Sequence, residues 1–296
     1  KMQSFLPSKT YKMIFLVLLW SLPLFSQTYK IVDTGQITFY DNSSIISEPA
    51  TNEPFYGQDA HVSGIRAMCL ITGDSHAEFL DPEVEAGTYS NSDSLTKLTR
   101  PECVVKHDVD DFYRRNHHHK NNDVIAYVKH HGRRDNVEEG LQLTADYLDR
   151  TLVDDSYTVV VRSNHDEAFD RWLRECKPKE DMENCKFYYY MKYHQMDNAV
   201  ETPSGGTSFD AFAWWSANPM DQPGLKHRDR IKFKKRDESV TLAGIELGFH
   251  GDRGTNGTQG SVTSFSKIGP KVVIGHSHTP AIKEGVYQVG LSAIKD

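Results

Sequence analysis

Short apolar runs recur through most of this chain, and each ends in a polar cluster. Residues 66–72 (RAMCLIT) lead into Gly73-Asp74-Ser75-His76, and residues 102–106 (ECVVK) into His107-Asp108-Val109-Asp110-Asp111. Residues 157–161 (YTVVV) precede Arg162-Ser163-Asn164-His165-Asp166. Residues 240–249 alternate (VTLAGIELGF) and precede His250-Gly251-Asp252. Residues 271–274 (KVVI) precede Gly275-His276-Ser277-His278, and residues 285–291 form a last run. Short runs rich in β-branched residues predict strands. Val137, Leu141, Ala145 and Leu148 recur at helical spacing, predicting a helix over 136–152, and a second is predicted over 167–176. Residues 186–194 (KFYYYMKYH) predict a helix packed on the sheet, with a base-stacking surface as the other reading. Phe209, Phe212, Trp214 and Trp215 carry the same two readings. Strands alternating with helices predict an α/β fold.

The first 62 residues have a different pattern. Residues 13–25 (MIFLVLLWSLPLF) are apolar, with Lys9 and Lys12 before them and Ser26-Gln27 after. A basic flank, a short apolar stretch and a small residue describe a secretory leader. The run is short for a membrane span, which needs about 20 residues. A core strand or helix is the other reading. Residues 29–61 are rich in Ser, Thr, Asn and Pro and carry no catalytic constellation. The division expected is a signal-like leader at 1–27, a low-charge and foreign-looking segment at 28–63, and a catalytic domain at 64–296 that is truncated at its C-terminal end.

Charge sharpens that division. Residues 1–62 hold 4 Lys+Arg and 5 Asp+Glu, whereas the chain of 296 residues holds 34 and 41. The net charge of −7 excludes a histone-like binder, which needs a large basic excess. Of the 14 His, only His61 precedes residue 62. In open α/β sheets ligands sit beyond the carboxyl ends of the strands, so five polar strand ends can converge on one site. His, Asp and Asn gathered in this way suit a borderline metal such as Mn, Fe or Zn better than Ca.

These clusters resemble the calcineurin-like metallophosphoesterase superfamily. Its motif order is D-x-H, G-D-x-x-D, G-N-H-D/E, a lone His, then G-H-x-H. Here that order is Asp74-Ser75-His76, Asp108 to Asp111, Asn164-His165-Asp166, His250, and Gly275-His276-Ser277-His278. Two flanking positions depart: His107 stands for the usual Gly before Asp108, and Ser163 for the usual Gly before Asn164. The variants, with Arg114-Arg115-Asn116-His117-His118-His119 after the second motif, look like phage-encoded, nuclease-type members.

The resemblance implies two facing mixed β-sheets flanked by helices, a four-layer sandwich, incomplete here at both ends. It implies two divalent metal ions, Mn first, with Fe, Zn or Mg as the other choices. Asp74, His76 and His278 would hold one, and Asn164, His250 and His276 the other, with Asp108 bridging. His165 would stand near the leaving-group oxygen, oriented by Asp166. The implied chemistry is phosphodiester hydrolysis, most readily of DNA, by a metal-bridging hydroxide. A phosphomonoesterase or cyclic-nucleotide phosphodiesterase is the alternative, and a non-catalytic, chimeric chain with an incomplete core is the reading from another class.

Weaker candidates surround the motifs. Arg114, Arg115 and His117 follow a metal motif and are candidates for phosphate contact, against a solvated loop. Arg253 lies in the Gly-rich stretch 251–260 and is a further candidate. Residues 227–236 (HRDRIKFKKR) read as a nucleic-acid track or as an exposed strand. Ser261 is placed to cap a short helix. Cys69 and Cys103 read as core thiols, and Cys176 and Cys185 as a pair if the chain is exported. The expected partner is DNA or another phosphodiester, with no stable membrane span. The catalytic part points to the cytoplasm of a phage-infected bacterium, and a true leader would point to export.

Overall fold

The computed structural model describes residues 67–294 apart from 120, 204–206 and 255–256, and before them three short strands, Val17–Trp20, Thr28–Ile31 and Ile37–Tyr40. The remaining residues of the leader and of segment 28–63 lie outside the described residues. The domain is α/β. One sheet runs Val17–Trp20, β1 (Ala67–Thr72), β2 (Cys103–His107), β3 (Tyr157–Val161) and β4 (Ile231–Phe233), in that spatial order. β1 to β4 are parallel, with Cys69 opposite Cys103, Cys103 opposite Tyr157 and Thr158 opposite Ile231. Val17–Trp20 pairs antiparallel with β1.

The second sheet is mixed, in the order β5 (Thr241–Leu242), β6 (Ile245–Glu246), β7 (Lys271–Ile274), β9 (Val286–Gln288) and β8 (Ala281–Lys283). The alternating run at 240–249 is therefore two short strands rather than the single strand expected. Ala243 and Gly244 break it, with φ of 49° and 76°. Left-handed backbone at both turn residues is what a two-residue hairpin needs to match strand twist.

Alternation along the strands assigns the layers. Cys69, Ile71, Val105, Val159 and Val161 join Ile245, Leu247, Val273 and Val289 in one buried cluster drawn from both sheets. Val160 faces the other way, into a larger cluster built with α2 (Val137–Arg150), α3 (Asp166–Glu175), α4 (Cys185–Asn198) and α5 (Ala211–Ala217), after the more exposed α1 (Asp123–His131). Phe265 packs with Val272, Ile274 and Val286 on the outer side of the second sheet.

The helices begin where the residues say they should. Asn136 accepts the Glu139 N–H at 3.0 Å and caps α2, whose Val137, Leu141, Ala145 and Leu148 are all buried. Ser261 and Ser264 form a capping box on the helix Val262–Phe265. The aromatic stretch 186–194 lies within α4, with Phe187 and Met191 buried. Phe212 and Trp215 are buried on α5, so these aromatics build the core. The basic stretch 227–236 contains β4, at the sheet edge. There Arg228 stacks on Phe233, Lys232 on Tyr157, and Arg230 donates to the carbonyls of Val153 and Ser156. All four cysteines are free thiols, so Cys176 and Cys185 are not paired. Among the described residues no helix is long and apolar enough to cross a membrane.

Candidate metal centre

Every motif residue leaves the carboxyl end of a strand. β1 delivers Asp74 and His76, β2 delivers Asp108, and β3 delivers Asn164, His165 and Asp166. In the second sheet, β6 leads to His250 and β7 to His276 and His278. The loops are tied together by backbone hydrogen bonds. The Asp108 carbonyl accepts the N–H of Ser75 at 2.9 Å and of His76 at 3.0 Å, and the His250 carbonyl accepts the Gly275 N–H at 2.7 Å. Asp74 binds across both sheets, since its Oδ1 accepts the His276 N–H at 3.1 Å.

Three of these residues hold left-handed backbone without being glycine: His76 (φ 42°), Asp108 (φ 47°) and His276 (φ 65°). Each costs of order 1 kcal/mol or more and persists where the surroundings over-determine it, a pattern that concentrates at functional sites.

Asp108 is the hub. It is 1% exposed, and its Oδ1 accepts the Ser163 hydroxyl at 2.6 Å. Its Oδ2 lies 2.8 Å from His165 Nδ1, 3.4 Å from His76 Nε2 and 3.8 Å from His250 Nε2. His278 Nε2 stands 3.8 Å from Asp74 Oδ2, and His250 Nε2 is 3.1 Å from Asn164 Oδ1. The ring of His276 packs edge-on to His250, with centroids 5.3 Å apart. Three overlapping groups have ligand atoms mutually within 4.8 Å: Asp74, His76 and His278; His76, Asp108 and His165; and Asp74, Asp108 and His250.

Charge in this cluster is divided unequally. Burial, then the charge of Asp108, pushes the Asp74 carboxyl well above the usual range. Burial also acts on Asp108, but His165, His76, the His165 hydrogen bond and His250 outweigh it, so this carboxylate is held well below that range. Burial opposes protonation of His165, yet Asp108 beside it raises the imidazole to about 9. Burial lowers His250 to about 3 and His107 to about 4, so both rings are neutral at neutral pH.

The donors fit a metal. Asp74 Oδ2, His76 Nε2 and His250 Nδ1 are buried without a hydrogen-bond partner among the described residues, and burying such atoms unpaired costs about 1–3 kcal/mol each. A cation would engage carboxylate oxygens and neutral imidazole nitrogens together, in the N/O donor set that suits Mn, Fe or Zn. The buried Asp and His groups could therefore bind metal ions.

The expected residues are brought together, with differences in detail. Asp166 does not orient His165 by a hydrogen bond. It is the first residue of α3, and its Oδ2 turns back to accept the Ser163 N–H at 2.8 Å, with burial raising its carboxyl to about 7. His165 points at Asp108 instead. Arg114 is withdrawn from phosphate contact: it is buried and donates to Glu78 at 3.2 Å and to the Arg133 carbonyl at 3.1 Å. Arg115 holds Asp181 through two hydrogen bonds of 2.8 and 2.6 Å. Arg253 is 60% exposed and lies 3.5 Å from Glu167, close to the start of α3. His117 lines a cavity with Arg114, Arg115 and Trp172.

Two residues were passed over as mere departures from a glycine. The Ser163 hydroxyl donates to Asp108 and accepts the N–H groups of His165 and Asp166, each at 3.0 Å, so it positions the hub and the third motif together. His107 is fully buried beneath the cluster, its ring stacked on His250 at 6.2 Å, and neither ring nitrogen has a hydrogen-bond partner among the described residues. The signal was present in both cases: a polar side chain where the motif usually carries glycine.

The chain is 34% identical over 265 residues to Protein A1 of Escherichia phage T5, a match covering 87% of this chain and 44% of that protein. It thus spans less than half the length of that relative. No family model matches the chain. No solved structure matches it either. What the chain shares with a phage protein is most of its length, and what it presents at its strand ends is a buried Asp/His cluster with the composition of a metal site.

Proposed function

We propose that the chain is a metal-dependent phosphodiester hydrolase of the calcineurin-like metallophosphoesterase kind, with DNA as its substrate. The observation that carries this reading is Asp108, one buried carboxylate approached by His76, His165 and His250 from three different loops, with Asp74 alongside. A hub of this kind suits a shared ligand between two cations. The order of the motifs, the two sheets meeting in one core and the outer helices support the four-layer reading of the fold. The match to a bacteriophage protein supports the phage assignment.

Asp74, His76 and His278 would hold one ion and Asn164, His250 and His276 a second, with Asp108 between. Ions bound there would supply Lewis-acid charge neutralisation and lower the pKa of water. The chain's own residues set the rest. Neutral His76, His250 and His276 and the Asn164 amide keep the site from repelling an anionic ester. Burial, the largest influence on each of those three rings, lowers their pKa and keeps them available as ligands. His165 is cationic at neutral pH and sits 21% exposed at the rim, where it can donate a proton to the departing oxygen. Ser163 fixes Asp108 and the start of α3, so the donor and the hub keep one geometry.

The test is Mn²⁺-dependent cleavage of plasmid DNA and of bis(p-nitrophenyl) phosphate, with EDTA and Asp108→Asn as controls. Cleavage of both, lost in both controls, is expected. Cleavage of the small ester alone moves the substrate to a small molecule. Full activity in Asp108→Asn, or no cleavage of either substrate, refutes the reading.

A further inference from the structure

A cavity of about 420 Å³ lies between two segments that follow the motifs in sequence, within the usual range for sites that take small organic groups. Its walls continue the second and third motifs. One wall is the segment from Arg114 to His119, which follows Asp108–Asp111, and the other is the far end of α3, whose first residue follows His165. Trp172 lies six residues along that helix from Asp166, about 9 Å at 1.5 Å per residue. The start of the same helix carries Asp166, the residue after the proposed proton donor His165.

The lining does not suit a phosphate. Four Arg and Lys side chains face four Asp and Glu side chains, so the wall carries no net charge. Each cation is already engaged: Arg114 by Glu78, Arg115 by Asp181, Lys177 by Glu180, and Lys129 by the Tyr113 carbonyl and His119. What the wall leaves unpaired is neutral. Trp172 Nε1 and His117 Nδ1 are buried and have no hydrogen-bond partner among the described residues. Trp172 is 7% exposed and held among Phe112, Phe169, Phe187 and Tyr188, so its indole is a fixed aromatic wall. A neutral, planar group with its own hydrogen-bonding edge answers this chemistry, and a nucleobase is such a group.

We propose that this cavity receives the nucleobase of a nucleotide flanking the scissile phosphodiester. It rests on the phosphodiesterase reading and deepens it: the substrate is then a strand with an unstacked base. The phosphate would lie at the metal cluster, and the base would be drawn out against Trp172 and the 114–119 segment. That geometry favours single-stranded or frayed DNA over intact duplex.

Two measurements on the full chain test it. Ala126 lines the cavity from α1, and Ala126→Trp fills the space without cutting into the core. In saturation-transfer NMR, 2′-deoxyadenosine should bind the wild type equally with Mn²⁺ and with EDTA, and Ala126→Trp should abolish the signal. In kinetics with Mn²⁺, the ratio of kcat/KM for the deoxyadenosine dinucleotide to that for bis(p-nitrophenyl) phosphate should fall at least tenfold in Ala126→Trp, through KM. Trp172→Phe, which keeps the ring and deletes the N–H, should lower the same ratio by a smaller factor. No nucleoside binding by the wild type, binding retained in Ala126→Trp, or an unchanged ratio overturns the proposal. Nucleoside binding lost in Ala126→Trp, in a chain that cleaves neither ester, upholds the cavity while the hydrolase reading falls.

Discussion

Gly275 is the position where one methyl group should separate fold from site. It stands at the end of β7, one residue before His276, and a Cβ built on it would lie 2.5 Å from Asp74 Oδ1 and 3.0 Å from His107 Cβ. Ordinary contact begins near 3.5 Å, so Gly275→Ala forces a displacement of about 1 Å. The backbone there is not left-handed, so the effect is steric alone. His107 is fully buried beneath and cannot yield, which leaves Asp74 to move. Moving it stretches the 3.1 Å bond from the His276 N–H and opens the Asp74–His278 pairing. Overpacking of this kind costs about 1–3 kcal/mol, or roughly 2–10 °C in Tm for a domain of this size. A shift of about 1 Å in a catalytic constellation costs about 10²-fold in turnover. Gly275→Ala should therefore remain folded, bind Mn²⁺ more weakly by calorimetry, and turn over bis(p-nitrophenyl) phosphate about 100-fold more slowly. Gly87→Ala is the control: nothing lies within 4 Å of its Cβ, and it should leave Tm and turnover unchanged or slightly raised. Wild-type metal affinity and turnover in Gly275→Ala would refute the argument that Asp74 is fixed by this contact.

Other perturbations test other parts of the molecule. His250→Ala should abolish turnover, whereas His165→Ala should retain Mn²⁺ and slow turnover by about 10²-fold or more; loss of Mn²⁺ in His165→Ala would make that residue a ligand. Burial lowers His107 from about 6.5 to about 4, so its contribution to stability is complete above pH 6.5 and is lost as pH falls toward 4. That is on the order of 3 kcal/mol, and urea midpoints of the metal-free chain at pH 7.5 and 4.5 should differ less in His107→Gln than in the wild type. Glu138 accepts Trp215 Nε1 at 3.0 Å and the N–H groups of Met220 at 2.7 Å and Asp221 at 3.1 Å, so Glu138→Ala strands three donors and should cost about 3 kcal/mol or more, read as a fall in Tm of roughly 6 °C or more; a shift under 2 °C would refute this account.

How much of this was written in the sequence depends on the range of the interaction. Strand ends were legible because short apolar runs stop where polar clusters begin, and all the motif clusters lie at such stops. The α2 register was legible from Val137, Leu141, Ala145 and Leu148, because a helix face is a local pattern. The hairpin at 240–249 was not, because Ala243 reads as an ordinary strand residue and only the three-dimensional turn demands left-handed backbone there. Arg114 read as a phosphate contact because it follows a metal motif in the sequence. Its partner, Glu78, is 36 positions away and arrives only when the first and second motif loops fold together. The same holds for Asp166, whose carboxylate closes its own loop on Ser163 instead of reaching the adjacent His165. Motif order identified the residues that meet, and tertiary structure decided which atoms face each other.

The charge pattern of the cluster follows from that facing. Asp108 stays ionised although fully buried, because His165 supplies a proton 2.8 Å away and Ser163 donates at 2.6 Å. Asp74 accepts one backbone N–H on Oδ1, and among the described residues no hydrogen bond reaches Oδ2, so burial and the neighbouring carboxylate push its carboxyl upward. Two carboxyl groups from matching strand ends thus have opposite titration behaviour, set by which loop brings a cation and which does not. Metal ligands must be deprotonated, so a divalent ion that engages Asp74 works against the upward push that burial gives its carboxyl. This is why Ser163 and His107 matter beyond packing. One keeps Asp108 aimed at His165, and the other stays neutral beneath His250 and Gly275, adding no positive charge to the site.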